Sequence, residues 1–391
     1  MKTQLVIFGI TGDLAGRKLL PALDSIVATG DYDDLSIVGI SRREVDRDEL
    51  LKNHPDLKER TSIFTMDLAT LADYSRLKTY LEESQADQTL FYLSVPPGAA
   101  ASIVDFLGEA GLNTPNHKVL FEKPFGFDLA SAEDFIERTN RYFTEAQLFR
   151  IDHYMGKEIA AELLQLRQNA ENHHHYWNNQ SVKAITVVAT EKIGIEGRAQ
   201  FYEQTGALRD FVQGHLMQLL SLVLMQNPHP TGLPEQRLRA LQQLKPINPD
   251  EATRAQYEGY QEEVKNPGSQ TETFVAFMTE SNDPAWAGVP IRLVTGKALA
   301  EKRSYVAVEY TDGTEDIFDE AHLVARDNRQ HLDAYERVLI EAIAGRKDIF
   351  TSSPEVIRSW EILAPLQEAW NLDDAPLMHY PVGTATTPIA A

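Results

Sequence analysis

Residues 5–15 read LVIFGITGDLA, an apolar run that ends in two closely spaced glycines. The run predicts a first strand, and the glycines predict a tight turn into a helix, whose free N–H groups can donate to a pyrophosphate. Because Ile10 and Thr11 separate the glycines, the spacing departs from the standard dinucleotide fingerprint, and an ordinary strand–helix turn is the alternative. The position at the start of a βαβ pattern favours a dinucleotide site. The residues assigned to it are Gly9, Thr11, Gly12, Asp13 and Leu14.

Strands and helices alternate over the first 150 residues. Short apolar runs predict strands at Leu5–Gly9, Ser36–Ile40, Ser62–Thr65, Thr89–Leu93, Lys118–Phe121 and Gln147–Ile151. A periodicity of about 3.6 residues predicts helices at Leu14–Ala28, Leu71–Glu83, Ala99–Ala110 and Leu129–Arg141. This alternation predicts an α/β fold, a Rossmann-like doubly wound parallel sheet with helices on both faces.

The pattern changes after about residue 151. The predicted strands are Ala184–Thr190, Thr271–Met278, Pro290–Thr295 and Tyr305–Tyr310. The predicted helices are Gly206–Met225, Pro234–Gln261, Gln330–Ala344 and Pro354–Trp370. Strands that follow one another without helices predict a largely antiparallel sheet. We therefore expect two domains, a nucleotide-binding domain over residues 1–150 and an α+β domain over residues 151–391, with residues 376–391 as a loose tail.

Composition excludes several classes of function. The net charge of -21 argues against nucleic acid or an anionic membrane as the main partner. The chain has no cysteine, and no apolar run is long enough to cross a bilayer. The short apolar N-terminus is interpreted as a strand rather than a signal peptide, so a cytoplasmic enzyme is expected. The run His173–His175 is interpreted as the end of a surface helix, and no metal site is predicted.

The end of the second predicted strand carries two arginines, Arg42 and Arg43. Many NAD enzymes have an acidic residue there that holds the ribose hydroxyls, whereas a guanidinium suits an adenosine 2′-phosphate. A solvated loop is the alternative interpretation. The pair favours NADP, with Arg42 as its ligand and NAD as the alternative cofactor.

Several motifs, in this order and spacing, resemble the glucose-6-phosphate dehydrogenase family and together span almost the whole chain. The first half contains GDLA at 12–15, EKPFG at 122–126 and RIDHYMGKE at 150–158. The second half contains EGR at 196–198, GALRD at 206–210, QGH at 213–215, GKAL at 296–299 and DAYER at 333–337. The stretch around His153 is the most specific of these. The resemblance implies oxidation of the C1 hydroxyl of glucose 6-phosphate to a lactone, the entry to the oxidative pentose phosphate pathway.

Oxidation of a sugar hydroxyl needs a base to take the proton while hydride leaves carbon. His215 lies in an apolar helical stretch, where a histidine must find partners, and a core histidine is the alternative interpretation. The resemblance implies that His215 is this base and that Asp152 orients it. Lys123 matches a lysine between cofactor and substrate, and the Lys123–Pro124 bond is a predicted cis peptide.

A sugar phosphate also needs a cationic pocket with hydrogen-bonding groups. In a helix His153 and Lys157 would share one face and converge on an anion, although an exposed helix with a basic edge is the alternative. By resemblance these two residues and Tyr154 bind the phosphate, and Lys297 lies at the same end of the sugar. Glu191 and Asp210 match positions that accept hydrogen bonds from sugar hydroxyls.

The chain departs from the family at three places. Gly214 stands where asparagine is usual, and Lys302 replaces an arginine that contacts the phosphate, which removes a bidentate fork. Residues 304–330 leave room for only two or three strands, whereas the family carries a much longer β segment there. That segment normally forms the dimer surface, so a homodimer becomes doubtful. A relative that acts on another sugar and a catalytically silent NADP-binding homologue are the alternative functions.

Overall fold

The computed structural model describes residues 1–168, 176–226, 232–320, 322–323, 331–373 and 375–386, so the predicted helix end at His173–His175 lies outside the described residues. The chain forms two compact units. The first comprises Met1–Phe125, Glu133–Gly156 and Leu332–Ser353, and the second comprises Gly126–Ala132, Lys157–His331 and Pro354–Ala391. Residues 332–353, which the sequence assigned to the second domain, therefore pack in the first unit.

The strands and helices are numbered along the chain. The strands are β1 Thr3–Phe8, β2 Leu35–Ser41, β3 Thr61–Thr65, β4 Gln88–Leu93, β5 His117–Glu122, β6 Leu148–Ile151, β7 Val182–Thr190, β8 Ala252–Tyr257, β9 Phe274–Thr279, β10 Ile291–Gly296, β11 Arg303–Tyr310, β12 Glu315–Asp319, β13 Phe350–Thr351 and β14 Met378–Tyr380. The α-helices are α1 Leu20–Ala28, α2 Arg47–Leu50, α3 Leu71–Glu82, α4 Pro97–Glu109, α5 Leu129–Asn140, α6 Glu158–Gln168, α7 Ala199–Ala207, α8 Met217–Leu224, α9 Leu233–Gln243, α10 Tyr260–Val264, α11 Ala334–Ala344 and α12 Ser353–Leu372. Among the helices of the described residues, none has both the length and the apolar character needed to cross a bilayer.

The first unit is built on a seven-stranded sheet with the order β13-β6-β5-β4-β1-β2-β3. Strands β1 to β6 are parallel, and β13 runs antiparallel to β6. Strand β1 lies in the interior of the sheet, between β4 and β2, and Leu5 to Phe8 are completely buried, which is why this run is apolar without alternation. The predicted doubly wound sheet is confirmed. Its strand order reverses at β1, which puts a crevice outside the carboxyl ends of β1 and β4.

The second unit contains a seven-stranded sheet with the order β12-β11-β7-β10-β9-β8-β14. Four of its pairs are antiparallel, whereas β7–β10 and β8–β14 are parallel. The prediction of a largely antiparallel sheet is confirmed. Because β7 and β10 are parallel neighbours, the residues that follow them lie at one edge of the sheet.

The prediction of a continuous helical region over Pro234–Gln261 is wrong. Helix α9 ends at Gln243, and strand β8 follows at Ala252–Tyr257. The polar side chains of this strand resembled a solvated helix face. Gln256 is instead completely buried, and its amide donates to the carbonyl oxygens of Ser269 and Thr271 at 3.1 and 2.9 Å. Because buried polar residues such as Gln256 take the place of apolar ones, the sequence lacks the apolar–polar alternation that predicts a strand.

The predicted loose tail is also wrong for the stretch that forms β14. Residues Met378–Tyr380 pair in parallel with β8, and Tyr380 is buried. The Tyr380 hydroxyl donates to the carbonyl oxygen of Lys297 at 2.8 Å. This part of the C-terminal segment therefore supports the strand end from which Lys297 projects.

A completely buried ion pair joins α9 to α12 in the second unit. The Arg237 Nε donates to the Glu355 Oε1 at 2.8 Å, and a second nitrogen lies 3.3 Å from Oε2. Both side chains are fully shielded from solvent. Such a pair makes the loss of one partner costly, because the remaining charge stays buried.

We expect Arg237→Met to lower the free energy of unfolding by about 3–5 kcal/mol, since it leaves the Glu355 carboxylate buried without its guanidinium. Arg239→Met is the matched control, because Arg239 is exposed on the same helix. The control should change the free energy by less than about 0.5 kcal/mol. Urea unfolding of both variants measures the difference, and equal losses would contradict the interpretation.

Candidate active site

The turn after β1 has the backbone shape that close approach of a ligand requires. Gly9 has a φ of +80°, and a Cβ atom there would lie 2.2 Å from the carbonyl oxygen of Ser94. The Gly12 N–H donates to the Gly9 carbonyl oxygen at 2.9 Å, which closes the turn. A side chain at Gly9 would therefore both strain the backbone and fill the space beside it. Thr11 and Asp13 are exposed, and Gly12 and Leu14 are half-buried.

Ser94 was not predicted as a site residue. It follows β4, next to Gly9, and its hydroxyl is buried without a hydrogen-bond partner among the described residues. A buried polar atom without a partner is one feature of ligand-binding sites. The unpartnered hydroxyl and the glycine turn both fit a dinucleotide bound across the carboxyl ends of β1 and β4. The position directly after a buried strand was the only signal available in the sequence.

Arg42 and Arg43 follow β2 at the same edge of the sheet. Both are exposed, and no ion pair between described side chains includes either residue. The Arg43 N–H donates to the Ser41 Oγ at 3.2 Å, which orders the start of this turn. The two guanidinium groups are therefore available to an anionic ligand.

Lys123 follows β5, and its peptide bond to Pro124 is cis, as predicted. The preceding residue, Glu122, accepts a hydrogen bond from the Tyr92 hydroxyl. Burial raises the pKa of Glu122 to about 7, and the charge of Asp152 acts in the same direction. The Tyr92 hydrogen bond and the Lys123 charge oppose this shift. A carboxyl group that titrates near neutral pH thus lies beside two of the predicted site residues.

Asp152, His153 and Tyr154 follow β6. Asp152 is only 1% exposed, and its Oδ1 accepts the Tyr154 N–H at 3.0 Å. The His153 ring stacks on the ring of Tyr335, with 6.1 Å between centroids and 12° between planes. Residues His153–Gly156 form a 3₁₀ turn, and α6 begins only at Glu158. The helical spacing assumed for His153 and Lys157 is therefore wrong, and Lys157 lies half-buried directly before α6.

Lys297 is the most buried cation of the second unit's predicted site. It follows β10, is 2% exposed, and its Nζ forms an ion pair with Glu191, which follows the parallel neighbour β7. The Asp210 carboxylate lies 4.0 Å from the same Nζ. The ammonium also lies 5.3 Å and 5.4 Å from the ring centroids of Tyr202 and Phe211. Two carboxylates and two aromatic faces thus compensate one desolvated charge.

Asp210 and His215 lie on one helical segment. A break at Gly206, with φ +58° and ψ −176°, is followed by a π-helical segment at Leu208–Leu216, which continues into α8. His215 is 4% exposed, and its ring meets that of Phe211 edge-on at 5.5 Å. The predicted single helix over Gly206–Met225 is therefore interrupted at its start and widened where the site residues lie. π-Helical turns occur often at functional sites.

The surroundings of Lys302 differ from those of Lys297. It is exposed and directly precedes β11, and no ion pair between described residues includes it. Its neighbour Arg303 pairs with Asp319 at 3.4 Å and covers the ring of Tyr305. The Lys302 side chain is therefore exposed to solvent in this structure.

Two family models match the chain. The model described as glucose-6-phosphate dehydrogenase, NAD binding domain, matches residues 6–161. The model described as glucose-6-phosphate dehydrogenase, C-terminal domain, matches residues 164–330 and 322–391. The chain belongs to the glucose-6-phosphate dehydrogenase family. The protein is therefore an oxidoreductase with a dinucleotide-binding domain at its N-terminus.

Relatives and solved structures agree with this. The glucose-6-phosphate 1-dehydrogenase of Dickeya dadantii is 32% identical to this chain. The alignment covers 97% of this chain and 94% of the Dickeya enzyme. A structure titled glucose-6-phosphate dehydrogenase in complex with its substrate glucose-6-phosphate has a TM-score of 0.89 at 26% identity, covering 98% of this chain and 95% of its own. The glucose-6-phosphate 1-dehydrogenase of Mycobacterium avium has a TM-score of 0.83 at 28% identity, with the same shares covered.

This chain is shorter than the Dickeya relative with which it aligns over almost its whole length. Between Ser304 and Gln330 the described residues form the rest of β11 and the strand β12. The alignment with the Dickeya enzyme runs over 461 positions, more than the 391 residues of this chain, so the relative carries residues that have no counterpart here. The C-terminal family model is matched in two pieces that meet at residues 322–330. The predicted shortening agrees with both observations.

We expect Glu122→Gln to remove a pH dependence of stability. Glu122 has a folded-state pKa of about 7 against an ordinary value of 4.5, so the folded protein holds this proton more tightly. The contribution of Glu122 to the free energy of unfolding is fully present at pH values below the ordinary pKa. It is lost as the pH rises through the folded-state pKa. Glutamine stays neutral throughout. The free energy of unfolding of the variant, minus that of the wild type, should therefore rise by up to about 3 kcal/mol as the pH goes from acidic to mildly alkaline.

Urea unfolding at a series of pH values between about 5 and 8 measures this difference. Glu109→Gln is the control, because Glu109 is an exposed carboxylate of the same unit. Its curve should run parallel to that of the wild type. Parallel curves for Glu122→Gln would mean that the folded state does not hold the proton.

Proposed function

We propose that this protein oxidises the C1 hydroxyl of glucose 6-phosphate to the lactone, with NADP as the hydride acceptor. Family membership carries the proposal, together with the likeness to a structure that contains glucose 6-phosphate. The buried Lys297, with Glu191 and Asp210 beside it, supports a site for a polyhydroxylated anion. The reaction would make the protein the entry enzyme of the oxidative pentose phosphate pathway.

His215 is the proposed general base. A neutral imidazole can take the C1 hydroxyl proton as the hydride leaves, and the imidazolium that forms needs a nearby negative charge. By the family resemblance, Asp152 is the carboxylate that orients His215 and stabilises this charge. Two observations support these roles, the burial of both side chains and the hydrogen bond that holds Asp152 Oδ1 in place.

The proposed substrate contacts divide by chemistry. The phosphate dianion would be bound by cations and donors, namely His153, Tyr154, Lys157, Lys297 and Lys302. Glu191 and Asp210 would accept hydrogen bonds from sugar hydroxyls, and Lys123 would contact both sugar and cofactor. Lys297 is already paired with Glu191, so it would act by positioning that carboxylate as well as by its own charge. The exposed Lys302 would bind least tightly, because its charge is hydrated before binding.

The cofactor residues proposed are those of the first unit's sheet edge. The turn Gly9–Leu14 would hold the pyrophosphate, Arg42 the adenosine 2′-phosphate, and Lys123 the nicotinamide end. NADP, when bound, supplies the nicotinamide ring that receives the hydride. The chain's own part is to hold that ring, to exclude water and to remove the proton.

Organisation and assembly belong to the same proposal. Residues 1–150 would bind the cofactor, and residues 151–391 would carry the base and most of the substrate contacts. The short segment after β11 argues against the family's usual dimer, which that region forms. A cytoplasmic location stays a prediction.

We expect His215→Asn to lower turnover of glucose 6-phosphate by roughly 10²–10⁴, the usual contribution of a general base, with little change in substrate affinity. Absorbance of the reduced cofactor, followed with NADP and either glucose 6-phosphate or free glucose, measures the rate. The wild type should strongly prefer the phosphorylated sugar. His379→Asn, an exposed histidine of the same unit, is the control and should keep full activity.

Two outcomes would contradict this proposal in different ways. A wild type that reduces NADP with another sugar, or with none tested, would overturn the substrate or the activity itself. A His215→Asn variant that keeps more than about a tenth of wild-type turnover would overturn only the assignment of the base.

We expect Arg42→Ala to raise the KM for NADP by roughly 10-fold to 100-fold and to leave the KM for NAD nearly unchanged. The reason is that a hydrogen bond between charged groups contributes about 1.5–3 kcal/mol, and only NADP has the 2′-phosphate. Arg47→Ala, an exposed arginine that pairs with Asp48, is the matched control. Equal effects of Arg42→Ala on both cofactors would mean that this side chain does not contact the 2′-phosphate.

A further inference from the structure

Glu272 lies two residues before β9, at the sheet edge where β10 ends. Strand β9 runs antiparallel to β10, so the residues before β9 lie beside those that follow β10. The Lys297 N–H donates to the Thr273 carbonyl oxygen at 2.9 Å. The segment Glu272–Thr273 therefore holds the backbone of Lys297 from one side.

The same segment holds the helix that carries Asp210 and His215. The Glu272 Oε1 accepts the N–H of Leu208 at 2.9 Å, and the Glu272 carbonyl oxygen accepts the N–H of Ala207 at 2.9 Å. These N–H groups belong to the first turn after the break at Gly206, where a helix has no acceptors of its own. One residue thus satisfies two donors at the start of this helical segment.

Gly206 and Glu272 fit each other closely. Gly206 has a φ of +58°, and a Cβ atom there would lie 2.4 Å from the Glu272 Oε1. Glycine is therefore needed both for the backbone conformation and for the space that the carboxylate occupies. The close fit fixes the direction in which the helical segment leaves α7.

We propose that Glu272 is a positioning residue for catalysis, because it fixes the segment bearing Asp210 and His215 against the strand end bearing Lys297. This inference rests on the proposed roles of those three residues. Glu272 does not belong to any motif by which the family was recognised. It acts through the two N–H groups at the helix start rather than through the substrate.

The property required of Glu272 is an acceptor oxygen rather than a charge. The residue is 5% exposed, and burial raises its pKa, while the Leu208 N–H and the charge of Arg209 oppose that shift. The Arg209 guanidinium is itself held by the Phe127 carbonyl oxygen at 2.8 Å. A glutamine has nearly the same shape and keeps the acceptor, so it should replace the glutamate.

The experiment compares Glu272→Ala, Glu272→Gln and Glu203→Ala with the wild type. Glu203 is the matched control, a carboxylate of α7 whose acceptors serve Tyr260, Asn266 and Ser269 and not the helix start. We expect Glu272→Ala to lower kcat/KM for glucose 6-phosphate by roughly 10-fold to 100-fold, as the loss of positioning does. Affinity for NADP should be unchanged.

The glutamine and control variants keep the test decisive. Glu272→Gln should restore kcat/KM to within about threefold of wild type, and Glu203→Ala should keep it although it lowers the thermal midpoint. Hydrogen exchange of a peptide covering residues 206–216 should be faster in Glu272→Ala and normal in Glu272→Gln.

The inference is overturned if folded Glu272→Ala keeps wild-type kcat/KM, if Glu272→Gln is as impaired as alanine, or if Glu203→Ala loses as much activity. Should Glu272→Ala fail to fold, Glu272→Met, which removes the acceptor oxygen but keeps most of the side-chain volume, replaces it in both measurements. Failure of the proposed function is seen separately, because the wild type itself would then not oxidise glucose 6-phosphate.

Discussion

A charged ammonium buried at the end of β10 constrains the elements that surround it in the second unit. Taking the Lys297 charge out of water is costly unless anionic and polarisable groups surround it. The parallel neighbour β7 ends at the same edge and supplies Glu191, and the helical segment after Gly206 supplies Asp210. The ring centroids of Tyr202 and Phe211 lie 5.3 and 5.4 Å from the same ammonium. Each of these elements must end or bend where it does for the charge to be compensated.

The first unit meets a different constraint, which acts on the backbone. Its glycine turn, the buried Ser94 hydroxyl and the exposed Arg42 all follow the carboxyl ends of neighbouring parallel strands. A parallel sheet brings such strand ends together at one edge, so residues far apart in sequence contribute to a single binding surface. The reversal of strand order at β1 leaves that edge open to a ligand. Glu122 lies at the same edge, and burial of its carboxyl group raises its pKa to about 7.

The contacts of Lys297 come from elements other than the segment that the sequence predicts to be shortened. The residues around Lys297 come from β7, β9, β10 and the helix that bears Asp210, whereas the shortened segment follows β11. The C-terminal strand β14 pairs with β8, and Tyr380 supports the Lys297 backbone from there.

The sequence by itself determined strands β1 to β6, helices α1 and α3 to α5, the glycine turn, the class of the second sheet and the family. These features depend on local periodicity, on glycine at a turn and on motifs of fixed spacing. The tertiary structure alone decided that β8 is a strand and that residues 378–380 pair with it, because their buried polar groups leave no pattern. It also decided the contacts of Lys297 with Glu191 and of Leu208 with Glu272, which join residues 106 and 64 positions apart. Such contacts follow from which strands become neighbours, and that choice is made by packing over the whole unit rather than by any local stretch.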